Sequence, residues 1–341
     1  MRLYTALKGQ HITNPGQRPG TTQNKMKKLL ILTTALMLTT AVKTQTATPM
    51  AQYAGNQLIF NPGFAGAHDL FSANLSYRTL WVGMPNSPTL ISFNMHAPFI
   101  NQRNALGFIF QRETFGPQAV NLVNLTYAYN FRVGANSFLS LGVQGGFLNS
   151  VTDWSMVDRV RHPEDPFYGR DERWTTIRFD MGFGIHYQAR DFYIGISARH
   201  LTAPRFDEIR ILETGEQFYS QIRRQFFLMS GYNFMLNNNF DLRPRLLMRH
   251  KEGVPLTVSV GADLVYDNRF SFGVNLMSGL PALTLAAAVE VFSGLRIGYA
   301  FDINFGTLGP FQRGSHEIFI SYFLPVWNRV QDPAVRRQHF R

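Results

Sequence analysis

From about Leu70 onward, apolar and polar residues alternate with a period of two, in segments roughly ten residues long. Over 294–303, Leu295, Ile297, Tyr299, Phe301 and Ile303 share one face, and Arg296, Gly298, Ala300 and Asp302 share the other. The same split recurs over 269–276 and 176–187, where Arg178, Asp180, Gly182, Gly184 and His186 oppose Ile177, Phe179, Met181, Phe183, Ile185 and Tyr187. A period of two means β-strands, whose successive side chains point to opposite faces. A face holding Arg, Asp and Glu is not a dry core. An apolar outside around a polar inside is what a strand needs between lipid and a polar lumen, so the pattern predicts an all-β, transmembrane antiparallel outer-membrane barrel.

Alternation and turn residues together predict about fourteen strands, near 70–78, 89–97, 104–112, 119–131, 137–148, 176–188, 191–201, 223–234, 240–250, 254–265, 269–277, 282–291, 294–303 and 316–324. An even number places both ends of the barrel on one side of the membrane. Short connections at 132–136, 189–190, 235–239, 266–268 and 292–293 alternate with longer ones at 149–175, 202–222 and 304–315. The short ones are expected to be periplasmic turns and the long ones extracellular loops. Aromatics on the outward face (Tyr77, Phe93, Tyr127, Tyr129, Tyr187, Phe192 and Tyr322) are expected near strand ends, at headgroup level.

Composition agrees with this picture. Hydrophobic residues make up 45% of the 341, with 30 Phe, yet mean hydropathy is only -0.12. No run of about 18 apolar residues is present, which excludes a helical membrane protein. Cys is absent, so there is no disulfide framework, thiolate metal site or lipidation cysteine. The apolar run 29–42 follows Lys25, Lys27 and Lys28, as in a secretory signal peptide. The predicted organisation is an upstream over-call of the start over 1–25, a signal peptide over 26–51, the barrel over 52–325 and a basic periplasmic tail over 326–341. Residues 1–51 hold seven basic residues and no acidic one, so the remainder carries 26 basic against 22 acidic residues, a net of +4. A nucleic-acid role resting on the pI of about 10.0 therefore falls away.

The strand register points a set of charges inward, among them Arg78, Arg178, Asp180, Arg199, Arg243, Arg245, Arg296, Asp302 and Glu317. Mixed charges across a lumen brace it by pairing, and Arg243, Arg245 and Arg249 on one face could instead select an anion; bracing is the favoured reading. Loop 149–175 mixes six acidic residues with four Arg and lacks the spacing of a Ca²⁺ loop. No hydrolase elbow, zinc helix, Walker loop or dinucleotide fingerprint is present, so neither an enzyme nor a cofactor or metal is expected.

At 52–66 the chain stops being generic. Gln52-Tyr53 leads to Phe60-Asn61-Pro62-Gly63-Phe64-Ala65-Gly66. Leu75-Ser76-Tyr77-Arg78 and Trp81 follow, then His96-Ala97-Pro98, Tyr127-Ala128-Tyr129 and finally Gly314-Ser315-His316-Glu317-Ile318. These elements, in this order, resemble the PorP/SprF family of outer-membrane proteins of type IX secretion systems, over roughly 52–324. Gly63 and Phe64 stand where that family usually has Ala and Tyr. The resemblance implies a non-enzymatic role in protein secretion or surface attachment, linked in some members to gliding. It also implies other periplasmic and outer-membrane secretion components, and exported proteins with a carboxy-terminal sorting domain, as partners. Asn61, Pro62, Gly63, Ala65, Gly66, Tyr77, Arg78, Trp81, Tyr127, Tyr129 and Glu317 are then the motif positions, some of them candidate partner contacts. The physical reading of 61–66 leaves a barrel plug or a strand cap equally open. A passive porin or hydrophobic-ligand transporter on the same barrel is the alternative function.

Overall fold

The computed structural model describes residues 53–67, 70–99, 103–134, 137–153, 173–210, 217–278, 282–305 and 309–325. The expected leader, signal peptide and basic tail lie outside these residues. So do Asp158, Glu164, Asp165, Asp171 and Glu172 of the long loop.

Fourteen antiparallel strands form the wall: β1 Leu70–Thr79, β2 Thr89–Phe99, β3 Asn104–Phe115, β4 Gln118–Gly134, β5 Ser137–Asp153, β6 Arg173–Gln188 and β7 Phe192–Arg199. The second half is β8 Gln225–Tyr232, β9 Phe240–Lys251, β10 Thr257–Tyr266, β11 Phe270–Met277, β12 Ala282–Phe292, β13 Leu295–Asn304 and β14 Ser315–Pro325. Each strand pairs with its neighbours in sequence, and β1 pairs with β14 from Leu70↔Pro325 to Thr79↔His316. The ring is closed, as strands in lipid require, because an open edge would leave backbone N–H and C=O groups without partners.

The alternation read from the sequence is the alternation of the wall. Leu75, Tyr77, Val123, Leu125, Ile177, Phe179, Phe272 and Val274 are exposed on the outside. Their neighbours Ser76, Arg78, Asn124, Thr126, Asp180, Ser271 and Asn275 are buried within. Near the turn ends, outward rings meet along one strand, Tyr129–Phe131 at 4.7 Å and Tyr232–Phe234 at 4.3 Å, and across neighbouring strands, Phe240–Tyr266 at 4.9 Å and Tyr187–Phe192 and Tyr266–Phe270 at 6.5 Å. This is an aromatic belt at one membrane face. Phe93 is an exception to the expectation: it sits mid-strand, 6.2 Å from Phe108.

Four connections differ from the reading of the sequence; in the first, β5 runs on to Asp153 instead of ending at 148, and β6 begins at Arg173. β3 and β4 run on to Phe115 and Gln118, so only Gly116 and Pro117 join them, with Gly116 in the left-handed region at φ 55°. Polar Glu113, Thr114 and Gln118 hid these strand extensions. The segment after β7, expected to be a plain loop, forms a hairpin of Arg205–Arg210 with Gln217–Gln221. Its Phe206 is buried with Leu122 and Leu148 on the lumen wall near the loop end. Pairing of β8 with β9 stops at Gly231↔Arg245 and resumes over Phe234–Met235. Even-numbered residues of β9 bond toward β8, as Glu252 N–H does to Arg224 O, so the missing donor of Pro244 falls in that break.

Candidate functional site

Before β1, Tyr53–Asn56 and Gln57–Phe60 form two short helical turns, and Pro62–Phe64 forms a third. No turn here is long enough to be stable alone. They are held because the segment lies inside the barrel, where Tyr53, Leu58, Ile59, Phe60, Phe64 and Ala65 make one apolar cluster with Ile109, Phe227, Met229 and Leu247 of the wall. The segment is an internal plug seated in the turn half of the lumen.

Its contacts go round the wall. Arg245 lies over the Tyr53 ring at 5.1 Å, a cation–π contact away from water. Asn94 of β2 donates to Asn56 Oδ1 at 2.8 Å, Ser197 of β7 donates to Phe60 O at 2.6 Å, and Phe60 meets Phe227 edge-on at 5.5 Å. Phe64 stands edge-on between His96 and His186, 5.4 Å from each. Gly66 N–H donates to His96 Nδ1 at 3.2 Å, which requires that nitrogen to be unprotonated. Gly66 itself has φ 72°, and a Cβ there would overlap Ala105.

Asn61 is the centre of the seat and is fully buried. Its Oδ1 accepts from Gly63 N–H at 2.8 Å, capping the turn that Pro62 starts. Its Nδ2 donates to Ile185 O on β6 at 3.0 Å. The wall beneath is made of glycines. Gly142 pairs with Gly184, and Gly195 pairs with His186 two residues further along β6. A Cβ at Gly142 would overlap the Pro62–Gly63 peptide, one at Gly184 would overlap Asn61 Oδ1, and one at Gly195 would stand 2.5 Å from Asn61 Nδ2. Three strands thus give up side chains where the Asn-Pro-Gly turn touches them. Sequence alternation recorded these glycines only as small inward residues; no local signal tied them to 61–63.

Arg78 and Glu317 are register partners on β1 and β14, the seam where the chain's two ends meet. Arg78 Nη1 donates to Glu317 Oε2 at 3.0 Å, and Nη2 bonds Asp302 Oδ2 on β13. Thr284 Oγ1 donates to the other Asp302 oxygen at 2.7 Å. All three charged side chains are buried, so each needs the others: a guanidinium shared by two carboxylates and tied by a hydroxyl.

The remaining inward charges are dispersed among local partners. Arg245 pairs with Asp263, its register neighbourhood on β10, and Arg243 with Asp241 at 3.4 Å and Asn233 at 3.2 Å. Arg296 bonds Ser271, and Arg199 donates to Gln111 across the lumen at 3.5 Å. Asp180 lies 2.9 Å from His200 Nδ1 and accepts from Thr202 Oγ1 at 3.3 Å. Arg178 departs from the expected network: it is exposed near the loop end, where its Nε donates to Arg205 O at the base of the hairpin. Of the other motif residues, Tyr77, Tyr127 and Tyr129 face outward, with Tyr127 Oη donating to Asn104 at 2.6 Å. Trp81 turns the chain past β1 at φ 51°, its N–H donating to Ser315 Oγ at 3.2 Å. Among the described residues no group of His, Asp and Glu side chains is arranged to hold a metal ion.

A closed wall, apolar outside and charged within, defines an outer-membrane β-barrel, here one carrying its own amino-terminal plug. The chain belongs to the PorP/SprF family of type IX secretion system membrane proteins, whose pattern matches residues 42–322. Among solved structures it is similar to the Ralstonia pickettii toluene transporter TbuX, at 13% identity and TM-score 0.49, over 78% of this chain and 92% of that one. It is similar also to a Pseudomonas aeruginosa FadL homologue, at 13% identity and TM-score 0.43, over 78% and 93%. A third is the Acinetobacter baumannii outer-membrane protein Omp33, at 6% identity and TM-score 0.42, over 75% and 99%. No curated protein matches the chain in sequence.

Proposed function

We propose that this protein is a non-enzymatic outer-membrane component of type IX secretion, required for export or surface attachment of proteins that carry a carboxy-terminal sorting domain. Gliding follows where such surface proteins drive it. The family match over 42–322 carries the reading. The interior supports it: the turn half of the lumen is filled by the chain's own residues 53–67, and Phe206 is packed into the wall near the loop end. A barrel filled in this way offers other proteins its rims rather than a path for solutes. Its partners in this reading are periplasmic and outer-membrane components of the same machinery. Residues 26–51 act as the signal peptide that brings the chain to them.

Deleting the gene and measuring surface-attached sorting-domain proteins tests the proposal. Those proteins should be lost from the surface while unrelated outer-membrane barrels keep their abundance, and a plasmid copy should restore them. Unchanged export and attachment would overturn it. The passive porin or hydrophobic-ligand transporter is the competing reading, and it requires the plug to leave the lumen.

A further inference from the structure

We propose that the turn-end rim of the barrel is a binding surface for anionic phospholipid headgroups. The observation is a set of four arginines, one in or beside each of four turns. Arg103 lies between β2 and β3, Arg132 at the end of β4, Arg190 between β6 and β7, and Arg269 between β10 and β11. All four are exposed, and among the described residues none is paired with a carboxylate. Among the described residues the acidic side chains at this rim are Asp191 and Glu290, both half-buried, with Glu290 capping the β12–β13 turn at Gly294 N–H, and Asp267, exposed, against the four arginines.

Each cation stands beside the aromatic belt. Arg132 follows Phe131 of the Tyr129–Phe131 pair, and Arg190 lies between Tyr187 and Phe192. The Arg269 guanidinium sits over the Phe270 ring at 5.7 Å. Arg103 precedes Asn104, whose side chain holds the Tyr127 hydroxyl, and Arg103 O accepts from Asn130 N–H. A ring in the interface with a guanidinium at its edge sets the charge at phosphate height, and a guanidinium forks onto phosphate oxygens in pairs. The turns between them are apolar instead of basic: Met235, Leu236 and Phe292 are exposed there, positioned to enter acyl chains.

A lipid fits this arrangement better than an acidic protein does. Arg103, Arg132 and Arg190 stand in successive turns and Arg269 in a turn of the other half of the ring, all at the level of the aromatic belt, where a headgroup phosphate meets the barrel. The inference rests on the barrel's seat in the membrane and not on its part in secretion.

The test uses the full chain in nanodiscs of equal phosphatidylglycerol and phosphatidylethanolamine, with the lipids retained on the extracted barrel counted by native mass spectrometry. The wild type should enrich phosphatidylglycerol, and each Arg→Gln change at 103, 132, 190 or 269 should weaken that preference about fivefold, the factor expected for one cation near an anionic surface. High salt should erode it. Arg313→Gln, an exposed arginine at the loop end, should leave it unchanged. Should the quadruple variant not fold, as judged by its heat-modifiable migration, the single variants carry the test. Equal retention of both lipids by the wild type, unchanged enrichment in the variants, or an equal loss with Arg313→Gln would each overturn the proposal.

Discussion

Arg78 shows what one residue does when the ends of a barrel must meet. Its guanidinium bonds both Asp302 and Glu317 in the seam, where all three side chains are buried. Arg78→Leu takes the guanidinium away from two buried carboxylates and should cost about 3–5 kcal/mol. The urea midpoint of the barrel in detergent should fall accordingly. Adding Glu317→Leu and Asp302→Leu should recover most of the loss, since the penalty lies in the orphaned charges. His200 makes a pH prediction, because it sits just past the end of β7. Burial pushes its pKa below the ordinary value; the bond to Asp180 opposes that shift and nearby Arg199 adds to it. The unfolded chain therefore takes up this proton more readily than the folded one. The contribution is whole above about pH 6.5 and is lost as pH falls from there toward the folded value. Unfolding midpoints at pH 8 and pH 5 should differ less in His200→Gln than in the wild type.

The plug is the element whose meaning changes most between sequence and structure. Asn61-Pro62-Gly63 reads locally as a turn, and as a turn it could cap a strand, meet a partner or fill a lumen. Its role comes from Gly142, Gly184 and Gly195, more than 75 residues away, which leave room for it on β5, β6 and β7. Gly184→Val keeps a strand-favouring residue in β6 but places a Cβ against Asn61 Oδ1, so the barrel should fold with its plug unseated. Chymotrypsin should then cut at Phe60 and Phe64, which are buried and protected in the wild type. Continued resistance would mean that the apolar cluster with Phe227, Met229 and Leu247 holds the segment without the glycine seat. Gly63 fits the same logic. A Cβ there would approach Gly184 O and His186 N at 3.0 Å, so alanine at 63 needs the wall to give slightly.

For the whole molecule, the filled lumen sets the electrical behaviour. Wild-type protein in planar bilayers should conduct ions poorly. A variant lacking residues 53–67 should conduct more, and most when Phe206→Ala also removes the packing near the loop end. Comparable open-channel conductance in wild type and truncated protein would show that the plug does not block flow. The same closed wall explains why fourteen short strands, each marginal alone, persist: closure pairs every strand on both sides, and no edge remains for lipid to desolvate.

Strand number, the lipid-facing side and the inward parity of the charges were legible in the alternation, because a strand's two faces are read residue by residue along one segment. The extensions of β3 and β4 were not, since polar residues beyond the membrane no longer alternate with apolar ones. Nor was the fate of Arg178, whose parity is inward but whose height puts it in solvent at the loop end. Tertiary structure alone decided that Arg78 meets Glu317, that residues 53–67 turn back into the barrel, and that inward glycines form their seat. Those contacts join positions far apart in the chain, and they depend on which strands ring closure and register bring face to face.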